Sequence, residues 1–401
     1  MLALRLARGA DPVALSRRVL LVGAAAGVGF LLLSALAYAV DHPGQGRSAA
    51  LRLAWCAVPL AATVQLAVAV ARADPTARPA SGLDVAGMGP ARLPVLAAMS
   101  AAVAGTVGSG LALLAFLHLR GDLSGLPFGG AAAGTLAAGR SLPLGAALTL
   151  LAVAPTGAAA GSALVMWPRP AAERPRPEPA RPPADPTDPP RHDPPVPTPP
   201  GLPWGTALIT GGIALSAYAG DEAAVVTEAP DGWLPLPGAL GNVSAGVVGG
   251  WLLIATGIVL AAPGLVHLCG RLLSGGRPGV LRLLAGRALQ EESRRIGRPL
   301  GALVAASAAL LAARELDGLS EFGPLGALGA VVVLVCVLGT VATVADEGRA
   351  ARRTATAALA RLGAPRAVLR GAAVLRATVL VSVLAPMTWL AAYLIALPAG
   401  S

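Results

Sequence analysis

Long apolar runs separated by short polar segments recur along the whole chain. A helix needs about 20 apolar residues to cross about 30 Å of hydrocarbon. Runs near or above that length predict spans at 19 to 40, 51 to 70, 93 to 118, 142 to 167, 204 to 219, 245 to 268, 299 to 313, 324 to 345 and 377 to 397. The expected fold is therefore an all-α, polytopic integral membrane protein of about nine spans, or ten, in two repeat-like halves. The runs 204 to 219 and 299 to 313 are short for a crossing, and half-buried helices are the alternative there.

Composition agrees, because 55% apolar residues and a mean hydropathy of +0.68 exceed ordinary soluble usage, and 13% charged residues fall below it. The chain has no lysine, so all 31 basic residues are arginine. A Walker-type phosphate loop and a Schiff-base enzyme both need a lysine, and neither can be housed here. Cys56, Cys269 and Cys336 fall singly in three apolar runs, without zinc or disulfide spacing. His42, His118, His192 and His267 are scattered and match no metal-ligand pattern. No metal, cofactor or nucleic acid is expected on this chain, and no catalytic residue.

Arginine placement predicts orientation, since positive loops stay cytoplasmic. With the amino terminus inside, 26 arginines lie on inside segments and five, Arg47, Arg52, Arg120, Arg140 and Arg314, lie outside. Outside segments instead collect Asp221, Glu222, Glu228, Asp231, Glu315, Asp317 and Glu321. If only the 299 to 313 run failed to cross, the seven arginines of 349 to 376 would face outward, so both short runs are taken as spans. The expectation is a multi-pass cell-membrane protein with a cytoplasmic amino terminus, retained as an anchor, and an extracytoplasmic carboxyl terminus.

Between 168 and 203, 16 of 36 residues are proline, which predicts an extended cytoplasmic linker. The expected units are a first membrane half at 1–167, that linker, a two-span connector at 204–269, a basic cytoplasmic segment at 270–298, and a second half at 299–401. An internal echo joins the halves. "SGLDVAGMGPARLPVLAAM" (81 to 99) and "ALARLGAPRAVLRGAAVL" each follow an inward-going span, placing Gly87 and Arg92 as a faded counterpart of the second turn.

The turn "ADEGRAARRTATAALARLGAPRAVLRGAAVLRA", set between two spans, resembles the cytoplasmic coupling segment of FtsX-like (MacB-type) ABC transporter permeases. "LALRLARGADPVALSRRVLLVGAAAGVGFLLLSAL" and "LRLLAGRALQEESRRIGRPLGALVAASAALLAA" similarly resemble the starts of the two halves of large ten-span members. The resemblance implies a permease whose partner, a separate cytoplasmic ABC ATPase carrying ATP and Mg, drives substrate export or the handling of lipid, lipoprotein or peptide. Homo- or hetero-dimeric assembly is compatible with it. The implied docking elbow is Arg361, Leu362, Gly363, Ala364, Arg366 and Arg370: a basic helix, a hinge and a second helix. The chain departs from the family in having about ten residues at 41 to 50 and 315 to 323 where large extracellular domains usually stand. It also lacks a tenth span, and its first-half turn is weakly charged. A minimal or degenerate member is implied.

Other classes fit less well. "ESRRIGRPLG" (292 to 301) has Arg294 where a major-facilitator loop needs aspartate. No acidic residue falls mid-span, which disfavours ion coupling. Ser100, Ser109 and Ser162 have no histidine and carboxylate set nearby in sequence, and Gly105, Gly108 and Gly110 are read as helix-packing residues. The alternative from a different class is a non-transporting scaffold or sensor that recruits cytoplasmic proteins or anionic lipid through its linker and basic loops.

Overall fold

The computed structural model describes residues 12–74, 92–123, 127–167, 201–225, 233–235, 242–276, 279–317, 323–361, 363 and 365–396. Helices dominate these residues: α1 Pro12–Asp41, α2 Gly46–Trp55, α3 Ala57–Ala73, α4 Arg92–Arg120, α5 Leu144–Met166, α6 Gly201–Val225, α7 Ala245–Ser274, α8 Val280–Asp317, α9 Gly323–Arg361 and α10 Arg366–Ala396. A three-residue antiparallel pair, β1 Trp233–Pro235 with β2 Asn242–Ser244, precedes α7, and Trp233 stands opposite Ser244. Ser244 caps α7 by accepting from the Val247 N–H, one of the donors that a helix start leaves unpaired.

Eight helical stretches among the described residues are long and apolar enough to cross a membrane: α1, α2 with α3, α4, α5, α7, α8, α9 and α10. The protein is an all-α, polytopic membrane protein. The ninth expected span is α6, long enough at 25 residues but below the apolarity of the other eight. The short run at 299 to 313 is the second half of α8, a helix of 38 residues. The basic stretch before it is helical too, because Arg, Leu, Gln, Glu and Ala all favour helix.

Two cores form. One joins α1, α3, α4 and α5 with α9, through Leu21, Val28, Leu66, Ala101, Ala154 and Cys336. The other joins α7, α8 and α10 through Ile254, Ile258, Ala308 and Ala392. Thus α9, late in sequence, packs on the first half. The halves echo one another in packing: α1 lies on α4 as α8 lies on α10, and the two intervening helices, α3 and α9, meet across the divide.

Small residues set the spacing. Gly105 faces Pro155 and Gly108 faces the Val22 backbone, where a Cβ would sit 2.7 and 2.6 Å from them; Gly110 faces open space. Pro155 cannot donate to the Leu151 carbonyl one turn earlier, and Ser109 Oγ donates to that oxygen instead, at 2.8 Å. In this way a proline inside α5 does not leave the Leu151 carbonyl orphaned.

Candidate functional site

The elbow is the joint between α9 and α10. Helix α9 continues past its apolar run to Arg361, and α10 opens at Arg366. Gly363 turns the chain with φ +89°, and no atom lies within 4 Å of where its Cβ would be. Only glycine adopts that backbone routinely, so strain rather than contact would penalise a side chain. Arg361 and Arg370 are exposed at the ends flanking the turn. Leu362 and Ala364 lie outside the described residues, as do Gly87 and residues 168–200 of the linker; Arg92 is the first residue of α4.

One carboxylate pins the elbow to the bundle. Glu292 on α8 pairs through Oε1 with Arg352 of α9 and through Oε2 with Arg376 of α10, the latter at 3.3 Å. The side chains are largely withdrawn from solvent, at 14% exposure for Glu292, 29% for Arg352 and 19% for Arg376. Nearby, Asp346 of α9 holds Arg17 of α1 at 3.2 Å and also Arg349, while Arg18 reaches Asp74 after α3 at 3.2 Å. These pairs gather the start of α1, the end of α3, the first half of α8, the end of α9 and the start of α10 at one end of the molecule.

The opposite end has its own set. Asp41 closing α1 lies 3.8 Å from Arg140, and Arg52 sits 3.7 Å over the Tyr38 ring. Buried Arg120 donates to the Ala137 and Arg140 carbonyls and lies 3.5 Å from Asp122, tying down the loop after α4. Arg17, Arg18, Arg349, Arg352 and Arg376 thus belong to the first set, and Arg52, Arg120 and Arg140 to the second.

Between the halves lies an apolar cavity of about 590 Å³, lined among others by Ala35, Ala62, Trp251, Ala305, Val333 and Val337. Its few polar groups include Ser34, Arg52, Gln65, Thr340 and the indoles of Trp55 and Trp251, the last of which donates to the Ile395 carbonyl. Helix α8 connects this space with the clamp: Pro299, seven residues after Glu292, lines both the cavity and the smaller pocket beside the clamp.

Glu292 escapes reasoning from the elbow alone. Its signal is that Glu291 and Glu292 are the only acidic residues among the seven arginines of 271 to 298. Among the described residues no group of three His, Cys, Asp or Glu could hold a metal ion, and the three cysteines are single, free and buried. Comparison with protein-family models, curated proteins and solved structures finds no match.

Proposed function

We propose that this chain is the membrane-spanning permease subunit of an ABC transporter, of the FtsX-like kind, working with a separate cytoplasmic ATPase that carries ATP and Mg. The observation that supports this reading most is the elbow's construction. Exposed Arg361 and Arg370 flank a left-handed glycine turn, while the helices on either side of it hold Glu292 on α8. A partner that pushes the elbow would move α8, and α8 lines the cavity between the halves. Docking at Arg361, Arg366 and Arg370 would thereby reach the space where cargo passes. The cavity's apolar lining suits an acyl-bearing cargo, lipid or lipoprotein, better than a polar peptide.

The test is co-purification of the full chain from native membranes, with bound proteins identified. Replacing Arg361, Arg366 and Arg370 together by glutamate exchanges attraction for like-charge repulsion, which costs several kcal/mol at an interface. Capture of an ATPase should collapse while membrane insertion survives. Gly363→Val should weaken capture without changing charge, because a β-branched residue at positive φ is strained by about 1–2 kcal/mol or more. If wild type retrieves no ATPase, or the triple variant retrieves it equally, the coupling fails and a scaffold that recruits other proteins or anionic lipid takes its place.

A further inference from the structure

Beside the clamp, α8, α9 and α10 enclose a pocket of about 300 Å³ whose chemistry changes with depth. At one end its lining is Glu292, Arg349, Arg352 and Arg376. Deeper, the same three helices contribute Ile296 and Leu300, Val344 and Val341, and Leu380. The charged residues lie toward the same end on all three helices, first along α8 and α10 and last along α9, so the change is a gradient and not a chance patch. From Arg352 to Val341 along α9 is 11 residues, or about 16 Å of helix.

The charged end is not balanced by its own lining, which carries three guanidinium groups against one carboxylate. Asp346 takes Arg349 and Arg17 on the outer side, and Glu291 precedes Glu292 on α8. Glu292 offers one oxygen to each of Arg352 and Arg376. A guanidinium has five N–H donors, so this sharing leaves both with donors to spare. Glu292 is the carboxylate that both cations share, and Glu291 adds an attraction to Arg352 alone, so the mutual repulsion of Arg352 and Arg376 is one that a further anion between them would relieve.

Gly348 keeps the place open. A Cβ built on it would lie 3.5 Å from Arg352 Nη1 and 3.7 Å from Glu292 Oε1. A long side chain there would extend into the volume beside the ion pair. Its backbone is ordinary helix, so a substitution would fill space without backbone strain.

We propose that this pocket binds the phosphate-bearing headgroup of an anionic phospholipid, with the adjoining hydrocarbon laid against Leu300, Val341, Val344 and Leu380. Basic pockets between membrane helices recognise such headgroups, and arginine forks match phosphate geometry in particular. A free phosphate would satisfy the charged end but leave the apolar depth unused; a zwitterionic lipid would bring its own cation against the arginines. The site is separate from the exposed elbow arginines, and it stands whether or not an ATPase docks there.

The experiment is native mass spectrometry of the delipidated full chain in detergent, titrated with dioleoylphosphatidylglycerol, dioleoylphosphatidylcholine or inorganic phosphate. Wild type should retain one phosphatidylglycerol molecule preferentially. Arg376→Gln removes a charged partner, and Gly348→Leu fills the pocket with charge unchanged; each should weaken retention about tenfold or more. Arg361→Gln with Arg370→Gln, outside the pocket, should stay within about twofold of wild type on the same scale. Either pocket variant is decisive if the other fails to fold, as judged by circular dichroism and gel filtration. Equal retention of phosphatidylcholine, full retention by a folded pocket variant, or complete displacement by inorganic phosphate would overturn the proposal.

Discussion

Replacing Glu292 by glutamine isolates the clamp, because shape is nearly kept while the charge that both Arg352 and Arg376 address is removed. Breaking a fully buried ion pair from one side costs about 3–5 kcal/mol, since the remaining charge is left uncompensated. Here the three side chains keep 14–29% exposure, and water reaches the guanidinium groups enough to soften that cost. About 2–3 kcal/mol of local stability is the expected loss, which corresponds to roughly 30–150-fold in an opening equilibrium. Amide hydrogen exchange on the solubilised full chain reads that equilibrium segment by segment. Exchange of residues 345–376 should accelerate by that factor, while α5 amides near Ala147, in a cluster that holds none of the clamp helices, stay unchanged. Adding Arg376→Gln should return part of the loss, because one of the two unpaired cations goes with it. Unchanged exchange in the single variant, or a double variant worse than the single, would refute the clamp as the elbow's anchor.

Two further outcomes follow from geometry. Gly257→Leu should prevent a stable α6 and α7 hairpin, since a Cβ there would already sit 2.7 Å from the Gly205 carbonyl; Gly211→Leu, with nothing within 4 Å, should leave yield and gel-filtration profile unaltered. In a background with Cys56, Cys269 and Cys336 replaced, an impermeant thiol reagent on intact cells should label Gly44→Cys but not Ala357→Cys, and the reverse pattern would invert the proposed orientation.

The spans were legible because crossing hydrocarbon demands length and apolarity that few other structures need, and runs such as 245 to 268 and 324 to 345 meet both. Gly363 was legible too, since a glycine between a basic helix and a proline leaves few other roles. The clamp was not. Glu292 reads as one more charge on a polar segment, and its value depends on Arg352 and Arg376 arriving from positions 60 and 84 residues away. Nor does any local pattern tell that α9 packs on the first half; that follows from matching surfaces such as Gly27 against Val332, where a Cβ would stand 2.4 Å from the valine methyl.

The expected span that falls short of the other eight in apolarity carries the most weight in the expected topology, because the arginine-based sides of the linker and the elbow agree only if α6 crosses. Its packing supplies what its hydropathy withholds. Gly201 lies against Leu260, Leu202 against Gly264, Gly205 against Ala261 and Gly257, Gly212 against Gly250 and Ile254, and Ala219 against Gly246, so α6 runs antiparallel along α7. Eighteen residues separate the ends of that seam, about 27 Å of helix, close to the thickness of the hydrocarbon layer. Glycine along the contact lowers hydropathy while allowing backbones to approach, which is where attraction between helices in lipid arises. The exposed face agrees: Trp204 and Tyr218 stand 73% and 66% exposed, 14 residues or about 21 Å apart, as aromatic rings do at the two interfaces of a bilayer. A helix lying half-buried on one surface would have no cause to carry a ring at each end of a seam this long. With α6 crossing beside α7, Leu202 in its first turn packs on Gly264, next to the Pro263 that meets Gly297 of α8, so α6 begins toward the clamp's end of the bundle.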